Sequence, residues 1–339
     1  MIKVNPTSIR TSANYNINDF AIDCKLIDKS NTFNSPQITG NIKQNCVATP
    51  TTLVMGDVVD NQRLNVNTDV YTVATNGDVT MVYNLDNQNS IHNSIIKVLH
   101  GIQTNITIMF NGKHAYHNGA FVIEVGDNAI ANVNFVDNLQ DSVNLTCIQS
   151  NQEQESKLDV NIVNFTNLYT IFKYVGLLSA PSALFNLNHA YLGTGQAQLD
   201  FNYNCIVLGK SCECNINSVG ALKDNSVKHF KGIIDFKTGC AKSVGQEKEE
   251  CLLIDATAHS TTLPAILCSE EDVDGKHATS VGKIDENVLF YLMTRGLTKT
   301  EATKLIIQSH FKAILRNINN AKLQEQILNN IDKVINNDN

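Results

Sequence analysis

From Leu53 onward apolar and polar residues alternate at a period of two, in short runs separated by Asn, Asp and Gly. Examples are Val79, Met81, Tyr83; Ile106, Ile108, Phe110; Phe121, Ile123, Val125; Val143, Leu145, Cys147; and Leu158, Val160, Ile162. Successive side chains of a strand point to opposite faces, so this rhythm predicts a series of short strands that each bury one face. A sandwich and a solenoid both satisfy it. Residues 1 to 50 are polar and weakly periodic, broken by Pro6, Pro36 and Pro50, and predict strands or loops covering one end of the strand series. The apolar patch from Ile171 to Leu187, with Phe172, Tyr174, Val175, Leu177 and Leu178, fits a helix or a strand equally and is expected to be an inserted or lateral segment. Strand-length runs return at Phe230–Phe236 and Leu252–Ile254.

At Lys283 the period changes from two to 3.6. Asp285 is placed to cap a helix with apolar positions Val288, Leu289, Leu292 and Met293, and Gly296 fits a left-handed stop. Thr298 and Glu301 form a capping box for a second helix with an apolar stripe at Ala302, Leu305, Ile306, Ala313 and Ile314. A third helix, Ala321 to Ile335, carries Leu323, Ile327, Ile331, Val334 and Ile335. The chain is therefore expected to divide into an N-terminal strand and loop cap (1–50), a β core (51–282) and a C-terminal α-helical subdomain (283–339).

Composition narrows the function classes. Charged residues are 17% of the 339 and the net charge is -7 with no basic run, which argues against nucleic acid or an anionic membrane as the main partner. Met1–Asn14 lacks the apolar core of a signal peptide and no run is long enough to cross a bilayer, so the chain is expected to be cytoplasmic. Nine scattered cysteines are expected to be reduced thiols. Asn105, Asn144 and Asn164 match the glycosylation pattern, but without a secretory route they read as strand residues.

One stretch is more specific. It runs Cys251-Leu252-Leu253-Ile254, Pro264, Glu270-Glu271-Asp272-Val273-Asp274-Gly275-Lys276-His277-Ala278-Thr279, then Gly282-Lys283-Ile284-Asp285-Glu286 and Leu289-Phe290-Tyr291-Leu292-Met293-Thr294-Arg295-Gly296. It resembles the C-terminal signature of the SufB/SufD family, scaffold subunits of the SUF iron-sulfur cluster assembly machinery, and its spacing from leucine pair to histidine is nearer SufD. The resemblance implies a mainly β fold, a right-handed parallel β-helix followed by the helical subdomain. It also implies pairing with a SufB-like subunit or an identical chain, docking of a SufC-like ABC ATPase on the C-terminal helices, and a transient iron-sulfur cluster at a subunit interface rather than a tightly bound cofactor. Longer family members have a helical region before the β-helix, where this chain is expected to enter strands by about residue 50.

His277, flanked by Gly275 and Lys276, is expected in a loop before the first helix, where a neutral imidazole offers a nitrogen ligand to iron. The family histidine at this place lies at the SufB–SufD interface and is implicated in building the cluster. The chain departs from the family at two positions: the cysteine SufD proteins often carry two residues earlier is Gly275, and the SufB cysteine falls at Ala258. Cys268 is the candidate thiol partner of His277, with Cys251 and Cys240 nearby. Cys205, Cys212 and Cys214 are either part of a metal site or an inward thiol ladder. His114 and His117 read as a solvated turn. Gly209-Lys210-Ser211 imitates a phosphate loop but has Asn204 where a glycine is required. No nucleophile triad is announced, so no catalytic residue is assigned. Phe290, Tyr291 and Arg295, with Leu305, are the candidate partner-binding residues. The rival class is a carbohydrate-active β-helix enzyme, disfavoured by the absence of Trp and of a secretory signal.

Overall fold

A computed structural model describes residues 1–9, 11, 17–27, 35–47, 53–318 and 321–336; Pro50 and the side chains of Ala313, Leu323, Val334 and Ile335 lie outside the described residues. The chain opens with β1 (Ile2–Val4), β2 (Phe20–Ile22), β3 (Gln37–Thr39), β4 (Lys43–Val47) and helix α1 (Asp57–Arg63). The long strand series comes next, as β5 (Thr68–Val73), β6 (Gly77–Asn84), β7 (Asn89–Val98), β8 (Gln103–Lys113), β9 (Tyr116–Val125), β10 (Ile130–Gln140), β11 (Val143–Gln152) and β12 (Lys157–Thr166). It continues as β13 (Tyr169–Leu178), β14 (Leu184–Gly193), β15 (Gln198–Val207), β16 (Glu213–Leu222), β17 (Val227–Phe236), β18 (Ser243–Leu253), β19 (His259–Cys268) and β20 (Val273–Lys283). Three helices end it: α2 (Glu286–Thr294), α3 (Lys299–Leu315) and α4 (Ala321–Asn336).

The chain alternates between two nine-stranded sheets, odd-numbered strands from β5 in one and even-numbered strands from β6 in the other, each pairing in parallel with the strands two before and two after. This is the expected parallel β-solenoid, of about eight turns. At the entry end β4 pairs antiparallel with β5, and β3 with β6.

Stacking is in register, which explains the abundance of Asn. Asn161 donates to Asn134 Oδ1 at 2.9 Å and Asn188 to Asn161 Oδ1 at 3.1 Å, each across 27 residues. Later turns lengthen the step to 29 residues at Asn215–Asn186 and 31 at Glu213–Val244, so no constant repeat is visible in the sequence. Many turns place one residue in the left-handed region, among them Asn87, Asn128, Asp141 and Asp224, where Asn and Asp are tolerated best.

Between the sheets lies an apolar lumen holding Tyr83, Phe110, Phe121, Phe135, Phe172, Phe185, Phe201 and Phe230. Both outer faces are also covered. Val4, Phe20, Ile22, Met55 and Val59 of the N-terminal region pack on Val143, Leu145 and Ile171 of the odd-strand sheet. Ile307, Phe311, Ile314 and Leu315 of α3, with Ile327 and Ile331 of α4, pack on Val136, Val163, Ala190 and Ala221 of the even-strand sheet.

The covered faces explain two departures from expectation. The patch from Ile171 is not an insertion: it forms the ordinary rungs β13 and β14, with Ile171 under the N-terminal cover and Phe172 in the lumen. Strand β13 is buried on both faces at its start, at Ile171 and Phe172, while Val175 and Leu177 of its outer face are half-buried, and apolar residues on both faces read as a continuous run. In α3 the buried stripe is Ala302, Ile307, Phe311, Ile314 and Leu315, whereas Leu305 is exposed, because apolar residues occupy more than one face and the sheet selects which is covered. The caps stand as expected: Asp285 accepts the Asn287 N–H at 2.8 Å, Thr298 and Glu301 form their box, and Gly296 has φ +98°. Helix α2 differs, since no residue in it is buried and Val288 and Met293 are exposed rather than core-facing.

Asn161→Ala would leave the Asn188 amide without its acceptor beneath the Asn317 carbonyl. Loss of about 1–3 kcal/mol is expected, read as a lower urea midpoint at unchanged m-value.

Candidate functional site

One seam of the lumen is polar. His92 and Ser94 on β7, His117 on β9, Asn144 on β11, Asp137 on β10, Asn164 on β12, His189 on β14 and Ser218 on β16 share the inward face with the apolar core and are all buried. His92 Nε2 meets His117 Nε2 at 3.0 Å, His92 Nδ1 meets Ser94 Oγ at 3.1 Å, and His117 Nδ1 meets Asn144 Oδ1 at 2.8 Å. Neutral rings satisfy all three contacts in one direction: Ser94 donates to His92, His92 to His117 and His117 to Asn144. From the other side Ser218 donates to His189 and His189 to Asn164 Oδ1, whose amide donates to Asp137 Oδ2 at 3.2 Å.

Burial enforces that neutrality. It holds His92 and His189 well below the usual histidine range and His117 at about 4, and it pushes the Asp137 carboxyl up to about 6 against the bonds from Leu139, Asn164 and Thr170. His117 is thus a buried strand residue, not the solvated turn residue expected; Gly119 leaves its ring room, since a Cβ there would stand 2.6 Å from both imidazole Nε2 atoms. His114 does lie in an exposed turn.

Towards the exit end the seam becomes charged. Lys228 on β17 and Glu249 on β18 form a fully buried ion pair at 2.6 Å. Tyr191 donates to Glu249 Oε1 at 2.9 Å, and Thr262 of β19 accepts from Lys228 at 3.1 Å. Glu247, two residues before Glu249 on the same face, is as deeply buried, yet neither carboxylate oxygen has a hydrogen-bond partner among the described residues. Its carboxyl occupies the space left by Gly232 of β17, where a Cβ would overlap it. Burial, reinforced by the Glu249 charge and opposed by Lys228, pushes the Glu247 carboxyl up to about 8.

The last rung is open. Among the described residues β19 pairs only with β17 and β20 only with β18, and every residue from Asp274 to Val281 is exposed. These edges carry unpaired backbone donors and acceptors, and Pro264 is tolerated because its strand is an edge.

The open rung corrects the expectation for His277. The residue is exposed, but it stands in the middle of β20 rather than in a loop, directly in register with Glu247 of β18. It is accessible because no further rung covers it, and its glycine-bearing, polar strand lacks the apolar alternation that marks buried rungs. Cys268 is likewise exposed at the end of β19, its Sγ turned to the Glu270 carbonyl at 3.0 Å. Both residues lie on the exit face, but among the described residues no three His, Cys, Asp or Glu side chains group to hold a metal. Ala258, Cys240 and Cys251 are buried, and a side chain at Gly275 would come within 3.2 Å of Ile266 and Phe236. Cys205, Cys212 and Cys214 belong to the apolar core, but Cys205 and Cys214 lie in different sheets opposite residues other than cysteine, so they are inward residues without forming a ladder. Sequence reasoning missed Lys228, Glu247 and Glu249; the available signal was acids at a period of two in Gly245-Gln246-Glu247-Lys248-Glu249-Glu250-Cys251, just before Leu252.

Beside the open rung, α2 presents an apolar surface. Phe290 is 69% and Tyr291 55% exposed, Arg295 lies 5.1 Å from the Tyr291 ring centroid, and Leu305 of α3 is 43% exposed.

Residues 81–310 match the family described as SUF system FeS cluster assembly, SufBD core domain. The iron-sulfur cluster assembly protein SufD of Bacillus subtilis (strain 168) is 26% identical over 72% of this chain and 55% of its own length. A SufBD family protein of Mycobacterium leprae is 30% identical over 39% of this chain and 15% of its own length, and the SufD of Escherichia coli K12 is 29% identical over 29% and 23%. The chain thus spans about half the length of the Bacillus relative and less of the others.

The Glu247 environment makes stability depend on pH. Its folded pKa of about 8 stands above the ordinary 4.5, so between those values the folded state holds a proton that the unfolded state releases, and stability falls as pH rises through the window. Glu247→Gln is expected to remove that decline and to melt above wild type near pH 9, with a smaller difference near pH 5, in thermal scans at about those two pH values.

Proposed function

Because the chain belongs to the SufBD family of the SUF iron-sulfur cluster assembly system, we propose that it acts as a non-catalytic scaffold subunit, nearer SufD than SufB in role, working in the cytoplasm. The observation that carries this reading is the open last rung, with the family histidine His277 exposed on it. A partner solenoid, SufB-like or a second copy of this chain, adds strands to the free edges of β19 and β20. His277 and Cys268 then face the join, where imidazole and thiol can ligate a cluster assembled transiently between the chains. The cluster is cargo: the chain supplies ligands and a site sheltered by the partner, and releases what is built.

A SufC-like ATPase docks on α2 through Phe290, Tyr291 and Arg295, with Leu305 at the border, because aromatic and Arg anchors suit an interface and nothing in α2 is committed to the solenoid core. The roles of the other two helices differ. α3 and α4 cover Val163, Ala190 and Ala221, so their removal would expose the solenoid wall as well as any docking surface.

Two outcomes test the reading. His277→Ala is expected to leave stability within about 0.5 kcal/mol while lowering cluster loading of the assembled complex in anaerobic reconstitution; loading equal to wild type would remove the histidine from the mechanism. The triple variant Phe290→Ala, Tyr291→Ala, Arg295→Ala is expected to melt like wild type and to bind the ATPase at least about tenfold more weakly by calorimetry, and unchanged affinity would move the docking surface away from α2.

A further inference from the structure

We propose that Glu247 and His277 together bind one divalent metal ion at the mouth of the lumen, the carboxylate coming from the last covered rung and the imidazole from the open one. The proposal rests on the scaffold reading and assigns a second residue to the site of His277.

Three observations carry it. The first is register: β18 and β20 pair in parallel with Glu247 opposite His277, so the two residues emerge on the same face of adjacent strands. Such strands are about 4.8 Å apart, and a Glu and a His at that spacing can both reach one ion at about 2 Å.

The second is the state of the carboxylate. Glu247 is fully buried and both oxygens lack a hydrogen-bond partner, an arrangement that costs free energy in any fold. Glu249, one step along the same face, shows what a structural carboxylate looks like here, with Lys228, Tyr191 and Thr262 all donating to it. Lys228 is thereby committed to Glu249 and does not hydrogen-bond Glu247.

The third is the space made for it. Gly232 on the facing strand is the residue that lets the Glu247 carboxyl lie in the lumen, since any side chain at that position would overlap it. Oxygen and imidazole donors suit ferrous, cobaltous, manganous or zinc ions. Two protein ligands also leave coordination positions open for donors from a partner or from a cluster under construction.

The test is anaerobic titration of the full chain with Co(II), followed by calorimetry and by the visible spectrum of the bound ion. Wild type is expected to bind one ion, Glu247→Gln and His277→Ala each to weaken binding at least about tenfold, and the double variant to be no weaker than the weaker single one, as for two ligands of one ion. Folding of Glu247→Gln is monitored by circular dichroism and melting. X-ray absorption of Co(II)-loaded wild type, which does not depend on any variant folding, is expected to show one imidazole with oxygen donors. The assignment is overturned if wild type binds no Co(II), if folded Glu247→Gln binds as wild type does, if the two losses add, or if the absorption spectrum shows a sulfur donor. Loss in His277→Ala alone would overturn the role of Glu247 while leaving the scaffold reading intact.

Discussion

In-register parallel stacking is the constraint on which the rest of this molecule depends. Each rung takes its backbone hydrogen bonds from the rung before and offers its own to the rung after, so a side chain placed once tends to be met by a like one a turn later. The amide steps from Asn134 through Asn161 to Asn188 arise from that rule, as does the column of aromatic residues in the lumen. A stack of this kind also has ends. The entry is closed by the antiparallel strands β3 and β4, whereas the exit is left with two bare edges.

The polar seam shows how a solenoid can carry titratable groups through its core without charging it. Near the entry His92 and His117 are held neutral by burial and their hydrogen bonds run from Ser94 to Asn144, while farther along His189 leads through Asn164 to Asp137. Near the exit the same seam holds a full ion pair, Lys228 with Glu249, which is tolerated because Tyr191 and Thr262 complete its hydrogen bonding. Removing one member of such a pair strands the other charge in the core, at a cost of about 3–5 kcal/mol. Glu247 breaks the pattern: equally buried but unpartnered, it lies immediately beneath the rung that faces solvent.

The outer faces divide the labour further. The N-terminal region and α1 cover one sheet, α3 and α4 the other, and both covers are apolar in the manner of a domain core. Helix α2 has no buried residue and packs on α3 while its aromatic residues face out. Rigidity of the stack and accessibility of α2 and of the last rung are thus properties of different parts of the chain.

The sequence alone determined the kind of local structure nearly everywhere. Period-two alternation specified strands, the change at Lys283 specified helices, and Asp285, Thr298 with Glu301, and Gly296 marked helix ends, because these signals depend only on neighbours within a few residues. A short motif also located His277. What the sequence left open was set by contacts between rungs. Solenoid and sandwich bury the same face of a strand, so the alternation could not distinguish them. Ile171 to Leu187 looked like an insertion because its apolar residues fall on both faces of the rungs: Phe172 and Tyr174 line the lumen, while Ile171 lies under a segment more than a hundred residues earlier. His117 looked solvated because its Asn and Gly neighbours are turn formers, yet Gly119 is there to make room for two imidazoles. The place of Glu247 under His277 comes from a strand register 30 residues apart, fixed by rung spacings that vary along the stack, 26 residues from β11 to β13 and 32 from β17 to β19, and no local pattern carries that number. Tertiary structure decided these points because burial and register are properties of the pairing between turns, not of any one turn.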